Sequence, residues 1–205
     1  MCNEYQQQIA WKRYREMMQI LELGIPTQQS KLDLPQRDSV RINDMAPVMR
    51  AAGNVVELAQ MRWSFPPSRP GGKPVFNFRS EGRTFTKEQR VLVPASGFLE
   101  FLGARSPKSK LLFTLRSAPL MAIAGIFRAA AGGQPDLFTM LTCEPGPDVE
   151  RYHDRQVVVL RPEDWTSWLY LDKPEEELLR PLPAGSLEVE LVRQGRDALD
   201  PALFD

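Results

Sequence analysis

Eighteen prolines are spread along the 205 residues of this chain, where the average share is ~5%. Proline has no amide to give to a ladder, and its ring clashes with the helical turn before it. A chain punctuated so densely folds into short segments. The clearest helix spans about Gln6–Leu23, where Ala10, Tyr14, Met17, Met18 and Leu21 share one face and Gly24 with Pro26 supplies a stop signal. A second helix is expected near Leu58, within Asn54–Arg62. A third opens at Pro162-Glu163-Asp164 and carries Trp165, Trp168 and Leu169, its acidic first turn suiting the helix dipole.

The rest reads as β. Candidate strands are Val75–Phe78, Arg90–Val93, Gly97–Phe101, Lys110–Arg116, Met121–Arg128, Leu137–Thr142, Gln156–Leu160 and Leu187–Val192, each short and bounded by Pro, Gly, Ser or Asp. Ala130–Gln134 is a Gly-rich turn and Pro66–Pro74 a loop inside one domain. The expected fold is α+β: a curved or barrel-like, mainly antiparallel sheet flanked by a few helices. One domain fills 1–205, with an N-terminal helix at about 6–23 and a C-terminal tail at about 193–205.

Composition narrows the classes. Hydrophobic residues are 42% and charged residues 25%, which suits a folded globular chain and not disorder or a coiled coil. No apolar run approaches the ~18 residues of a membrane span, and Met1-Cys2-Asn3-Glu4-Tyr5 is no signal peptide. Two cysteines, Cys2 and Cys143, make no disulfide framework and fit a reducing, cytoplasmic setting. The zero net charge hides a split: residues 1–116 hold 18 basic and 10 acidic side chains, and 117–205 hold 8 and 16. A basic, Arg-rich first half could face an anionic partner, or the halves could fold together and cancel.

Seven positions are weighed for chemistry. Cys2 becomes N-terminal if Met1 is removed, and its amine and thiol then sit on neighbouring carbons. Such a 1,2-aminothiol condenses with an aldehyde to an imine and closes it to a thiazolidine. Equally, Cys2 alone reads as an incidental tail residue. His153, the only histidine, precedes an apolar strand and suits proton transfer. One His and two separated Cys are too few for zinc, so no metal or cofactor is expected. Glu100, in Ser96-Gly97-Phe98-Leu99-Glu100-Phe101, is either buried with a raised pKa or turned to water by strand alternation. Alternation over Val75–Glu81 puts Asn77, Arg79 and Glu81 on one face and Phe76 and Phe78 on the other, a polar stripe that is either an anion or sugar-phosphate site or a solvated sheet face. Cys143 reads as a small core residue.

The ordered set of Cys2, Trp63, Asn77/Arg79/Glu81, Gly97/Glu100, Thr142 and His153/Asp154/Arg155 resembles the SRAP domain, the SOS-response-associated peptidase and abasic-site-crosslinking family. The resemblance spans about residues 2–161. It implies a monomer that binds single-stranded or junction DNA holding an abasic site. Cys2 would crosslink to the ring-opened sugar, with lyase-type Schiff-base chemistry and a proposed autopeptidase removal of Met1. By the same resemblance Asn77 positions the amine and sugar, Glu100 and His153 move protons, Arg79 and Arg155 bind phosphates, Thr142 lines the pocket, and Trp63 and Phe101 are DNA-facing aromatics. The chain also departs from the pattern. Glu4 replaces a basic residue and would repel phosphate, and Trp63-Ser64-Phe65 replaces Trp-Gly-Leu without a second Trp. A Cys2-dependent peptidase and a non-catalytic DNA-binding module are the competing readings.

Overall fold

The computed structural model of the protein describes residues 2–21, 36–53, 55–130 and 132–204. Among these residues thirteen strands and three α-helices follow one another as β1 (Glu4–Gln7), α1 (Trp11–Ile20), β2 (Arg37–Arg41), β3 (Met45–Ala52), β4 (Val55–Trp63), β5 (Asn77–Arg79), β6 (Arg90–Ala95), β7 (Gly97–Leu102), β8 (Ser109–Leu115), β9 (Met121–Arg128), β10 (Leu137–Cys143), β11 (Gln156–Val157), β12 (Val159–Leu160), α2 (Pro162–Tyr170), α3 (Glu175–Leu178) and β13 (Leu187–Arg193).

One sheet runs β13-β8-β7-β1-β2 and is antiparallel throughout. The other runs β11-β10-β4-β3-β6-β9-β12, and a β10–β9 pairing bends it into a ring of five strands. Among the described residues only β10's pairings with β4 and β5 are parallel. The ring strands have two buried faces. Val48, Val91, Val93, Ile123, Phe138 and Met140 pack toward the first sheet. Met49, Leu92, Ala124 and Leu141 pack under α1 and α2, against Tyr14, Met17, Trp165 and Trp168. Burying both faces of a strand removes the alternation that marks a half-exposed one.

Two helix expectations are corrected. The segment 55–63 is strand β4, paired residue by residue with β3 from Val55↔Ala52 to Arg62↔Met45. Val56 and Leu58 face the helices while Met61 and Trp63 face the other sheet, so apolar residues at mixed spacing only mimic a helical period. The N-terminal helix begins at Trp11, because Glu4–Gln7 is drawn into a strand between β7 and β2. Its expected end, Leu23 to Pro26, lies outside the described residues. Gln156–Leu160 divides into β11 and β12, which pair with β10 and β9 respectively. Phe76 and Phe78 do not share a face: Phe76 packs beside Trp63, and Phe78 beside Phe85.

Candidate active site

Cys2 enters the first sheet as the lead-in to β1, which lies against β7 with Glu4 opposite Leu99. It is buried, and its Sγ donates to the Glu4 carbonyl at 3.2 Å. Across from it, Asn77 begins β5, held parallel to β10 with Asn77 opposite Met140. Asn77 Nδ2 donates to the Cys2 carbonyl at 2.6 Å. Its buried Oδ1 has no protein partner among the described residues.

Glu100 stands on β7 beside the Cys2 backbone and is 2% exposed. Burial pushes its carboxyl up to about 7, although the Cys2 amide pulls the other way. Gly97, at the start of β7, permits the close approach of β8: a Cβ there would lie 2.8 Å from both Leu112 Cδ1 and the Phe113 carbonyl oxygen. His153 brings Nε2 to 4.0 Å from Glu100 Oε2. Its Nδ1 accepts the Arg155 amide proton at 3.0 Å, which places the neutral ring's proton on Nε2, toward Glu100. The Asp154 carboxylate, 89% exposed, is 2.8 Å from the same Nδ1 and can become its acceptor only when the ring is doubly protonated. Burial lowers the His153 pKa, so the ring is neutral near pH 7. Burial and the Glu100 charge push the Cys2 thiol up to about 12. The arrangement is a thiol held protonated, a carboxyl poised to give or take a proton at neutral pH, and a neutral imidazole.

The pocket opens as a cleft of about 530 Å³ lined by Asn3, Glu100, Phe101, Lys108, His153 and Arg193, among others. Phe101 is half-buried there, with Lys110 Nζ 5.7 Å and the Arg193 guanidinium 6.0 Å from its ring centre. Arg79 is exposed at the end of β5. The other expected DNA-facing groups lie elsewhere. Trp63 is 0% exposed, stacked on Phe138 and edge-on to Tyr5, with Nε1 donating to the Phe76 carbonyl at 2.9 Å. Strand β4 carries it on the face turned toward the other sheet, so it supports the segment that presents Asn77 and cannot stack on a base. Thr142 is buried, and its carbonyl accepts from Ser80 N, Ser80 Oγ and Arg155.

Arg155, 8% exposed, forks onto Glu81 at 2.5 and 2.8 Å. The same contact holds the Glu81 carboxyl below its ordinary range. A guanidinium paired in this way is a strut between β5 and the His153 segment. Arg155→Ala is expected to lower unfolding stability by about 1–2 kcal/mol. That is less than the ~3–5 kcal/mol for breaking a fully buried pair, because the Glu81 side chain is 42% exposed. Urea denaturation checks this, and an unchanged midpoint would remove the strut role.

The family model for SOS response associated peptidases, SRAP, matches residues 1–195. The chain belongs to the SRAP family. The abasic site processing protein YoqW of Bacillus subtilis is 28% identical over 156 residues, which cover 66% of this chain and 69% of that protein. The abasic site processing protein YMR114C of Saccharomyces cerevisiae is 28% identical over 99 residues, 46% of this chain. That match spans only 27% of the yeast protein. A solved structure from Bordetella bronchiseptica superposes with a TM-score of 0.71 at 25% identity, over 94% of this chain and all of that one. A phage-related protein of the same organism gives 0.72 at 21% identity, covering 94% and 95%, and shares the fold.

Two departures from the SRAP pattern have structural answers. Glu4 does not repel an incoming phosphate. It is buried, with Lys110 Nζ at 2.6 Å and Ser39 Oγ at 2.5 Å, and these bonds outweigh burial to keep its pKa low. Ser64, where the pattern has glycine, is held at φ 120°, a region that penalises any Cβ. Relief of about 1–3 kcal/mol of strain, less about 0.4–1 kcal/mol of added unfolded-state entropy, makes Ser64→Gly stabilising by about 1 kcal/mol. A thermal melt should show a rise of about 2–4 °C; a fall would mean that the Ser64 Oγ bond to the Phe65 carbonyl is worth more than the strain.

Proposed function

We propose that this SRAP protein senses abasic sites in single-stranded DNA and links itself to them through Cys2 as a thiazolidine. The observation that carries this reading is the Cys2 backbone clamped between Asn77, at 2.6 Å from its carbonyl, and the buried Glu100 carboxyl. With Met1 removed, the Cys2 nitrogen becomes a free amine beside an acid titrating near pH 7.

The steps balance without a cofactor. The amine adds to the C1′ aldehyde of the ring-opened deoxyribose and gives a carbinolamine. Glu100 donates a proton to the departing hydroxyl, which leaves as water, and the C=N bond forms. The Cys2 thiol then adds to that carbon. Its proton goes to the Glu100 carboxylate and its sulfur electron pair forms the C–S bond, while the C=N electrons return to nitrogen. The net loss is one water. A thiol held near pKa 12 reacts poorly until a base stands beside it, so the amine attacks first and Glu100 serves both steps. His153, its Nε2 proton facing Glu100, stabilises the carboxylate form and relays the proton. Asn77 Oδ1 is left to orient the sugar.

The test is intact mass of the full chain, alone and after mixing with a uracil-containing single-stranded oligonucleotide treated with uracil-DNA glycosylase. Loss of Met1, then an adduct of protein plus oligonucleotide less one water that survives denaturation, is the expected result. Met1 removed with no adduct would overturn the reading, and hydrolysis of peptides would then favour a peptidase.

A further inference from the structure

We propose that Lys108 and Arg193 form a phosphate-binding pair at the mouth of the catalytic cleft, gripping a phosphodiester that flanks the abasic sugar. This rests on the function proposed above and adds a phosphate contact to it.

Both side chains line the cleft that holds Glu100 and His153. Both are exposed, and among the described residues neither has an ion-pair partner. Their neighbours differ: Lys110 is paired with Glu4, and Arg105 with Asp197. Two unneutralised cations thus converge on a site whose sugar substrate carries its phosphates on the 3′ and 5′ oxygens. Asn3, next in the chain to Cys2, lines the same cleft, so the reacting residue lies one position from the wall that carries both cations. Arg193 donates one Nη2 proton to the Lys108 carbonyl at 3.0 Å, which leaves most of its five donors for a ligand. The Lys108 charge also lowers the His153 pKa, so its field reaches the reacting end of the cleft.

The pair is held in place before any ligand arrives. Strand β13 runs out at Arg193 and the chain continues as a strap across the β7–β8 loop. Gly195 N donates to Ser109 Oγ at 2.8 Å and Arg196 N to the Pro107 carbonyl at 2.9 Å. Asp197 Oδ2 accepts from the Ala104 and Arg105 amides at 2.7 and 2.9 Å. The strap lies so close that a Cβ on Gly195 would come within 2.3 Å of Ser109 N. A loop pinned at both ends presents Lys108 at low entropic cost.

Binding of the full-length protein to a single-stranded oligonucleotide bearing a tetrahydrofuran abasic analogue, which has no aldehyde and cannot crosslink, measures the contact. Fluorescence anisotropy is followed across a range of salt. Each phosphate contact on a single strand contributes about 0.7 to the slope of log K against log salt. Lys108→Ala and Arg193→Ala are each expected to reduce the slope by part of that amount, and the double variant by about 0.7 in all. Lys108→Arg should restore it, and Arg116→Ala, on a distant edge, should leave it unchanged. Lys108→Ala is exposed and keeps the inference open to test if Arg193→Ala disturbs the strap. Unchanged slopes in both variants, against a measurable wild-type slope, would overturn the phosphate pair and leave the function standing. An adduct that forms with no salt dependence would do the same. No binding and no adduct from wild type would overturn both.

Discussion

Cys2→Ala will abolish the denaturation-resistant adduct while leaving an imine that borohydride can trap. The substitution keeps the N-terminal amine, once Met1 is removed, and deletes only the sulfur that closes the ring. Schiff-base formation with Glu100 as the acid therefore continues, and hydride reduction fixes it as a secondary amine. The open imine acidifies the sugar's C2′ proton, so β-elimination is no longer suppressed and strand incision should rise. Three readouts on one variant move in different directions: stable adduct lost, trapped adduct kept, incision increased. Deleting one small buried side chain costs on the order of 1 kcal/mol, so the fold survives. A stable adduct from Cys2→Ala would place the crosslinking nucleophile elsewhere. Loss of the trapped imine as well would mean that the thiol attacks first and that the order of steps is wrong.

The fold was legible wherever a short apolar run stood between turn residues. Met121–Arg128 and Gly97–Phe101 were recognisable as strands from their apolar runs and flanking turn residues. The segment 55–63 was not, because closing the ring buries Val56 and Leu58 on one side and Met61 and Trp63 on the other. Strand β1 gave no signal at all: Glu4-Tyr5-Gln6-Gln7 becomes a strand because β7 and β2 lie on either side of it, a fact of tertiary structure. Strand β3 was hidden by Pro47, which the ladder accommodates opposite Gln60.

The site was legible as an ordered set of residues and not as geometry. Cys2 and Asn77 lie 75 positions apart and still meet at 2.6 Å. What the sequence left undecided was which charges had already found partners. Glu4 and Arg155 read as groups facing DNA, yet each is satisfied by a residue far along the chain, Lys110 for one and Glu81 for the other. Trp63 read as a stacking aromatic until the ring buried it. Lys108 and Arg193 escaped notice because they belong to a loop and a tail that carry no motif. Only the strap of residues 193–197 brings them to the cleft.

The placement of Glu100 predicts a substitution that stabilises the protein and disables it. Burial raises its pKa from the ordinary 4.5 to about 7. Between those two values the folded chain holds a proton that the unfolded chain has released. Unfolding then releases a proton, and stability falls as pH rises. The protonated carboxyl is therefore fully accommodated below pH 4.5, and its contribution is lost as pH passes through about 7. At 1.36 kcal/mol per pKa unit the loss is on the order of 3 kcal/mol at most. Glu100→Gln keeps the shape and removes the titration. Urea denaturation at pH 5 and pH 8 should show a smaller difference for Glu100→Gln than for wild type, with the variant more stable by on the order of 1–3 kcal/mol at pH 8. The same variant cannot donate or accept the proton in imine formation, so crosslinking should slow by about 10²–10⁴-fold. Parallel pH profiles for the two proteins would mean that Glu100 is not held near neutrality. A wild-type crosslinking rate in Glu100→Gln would remove it from the proton transfers and pass that role to His153.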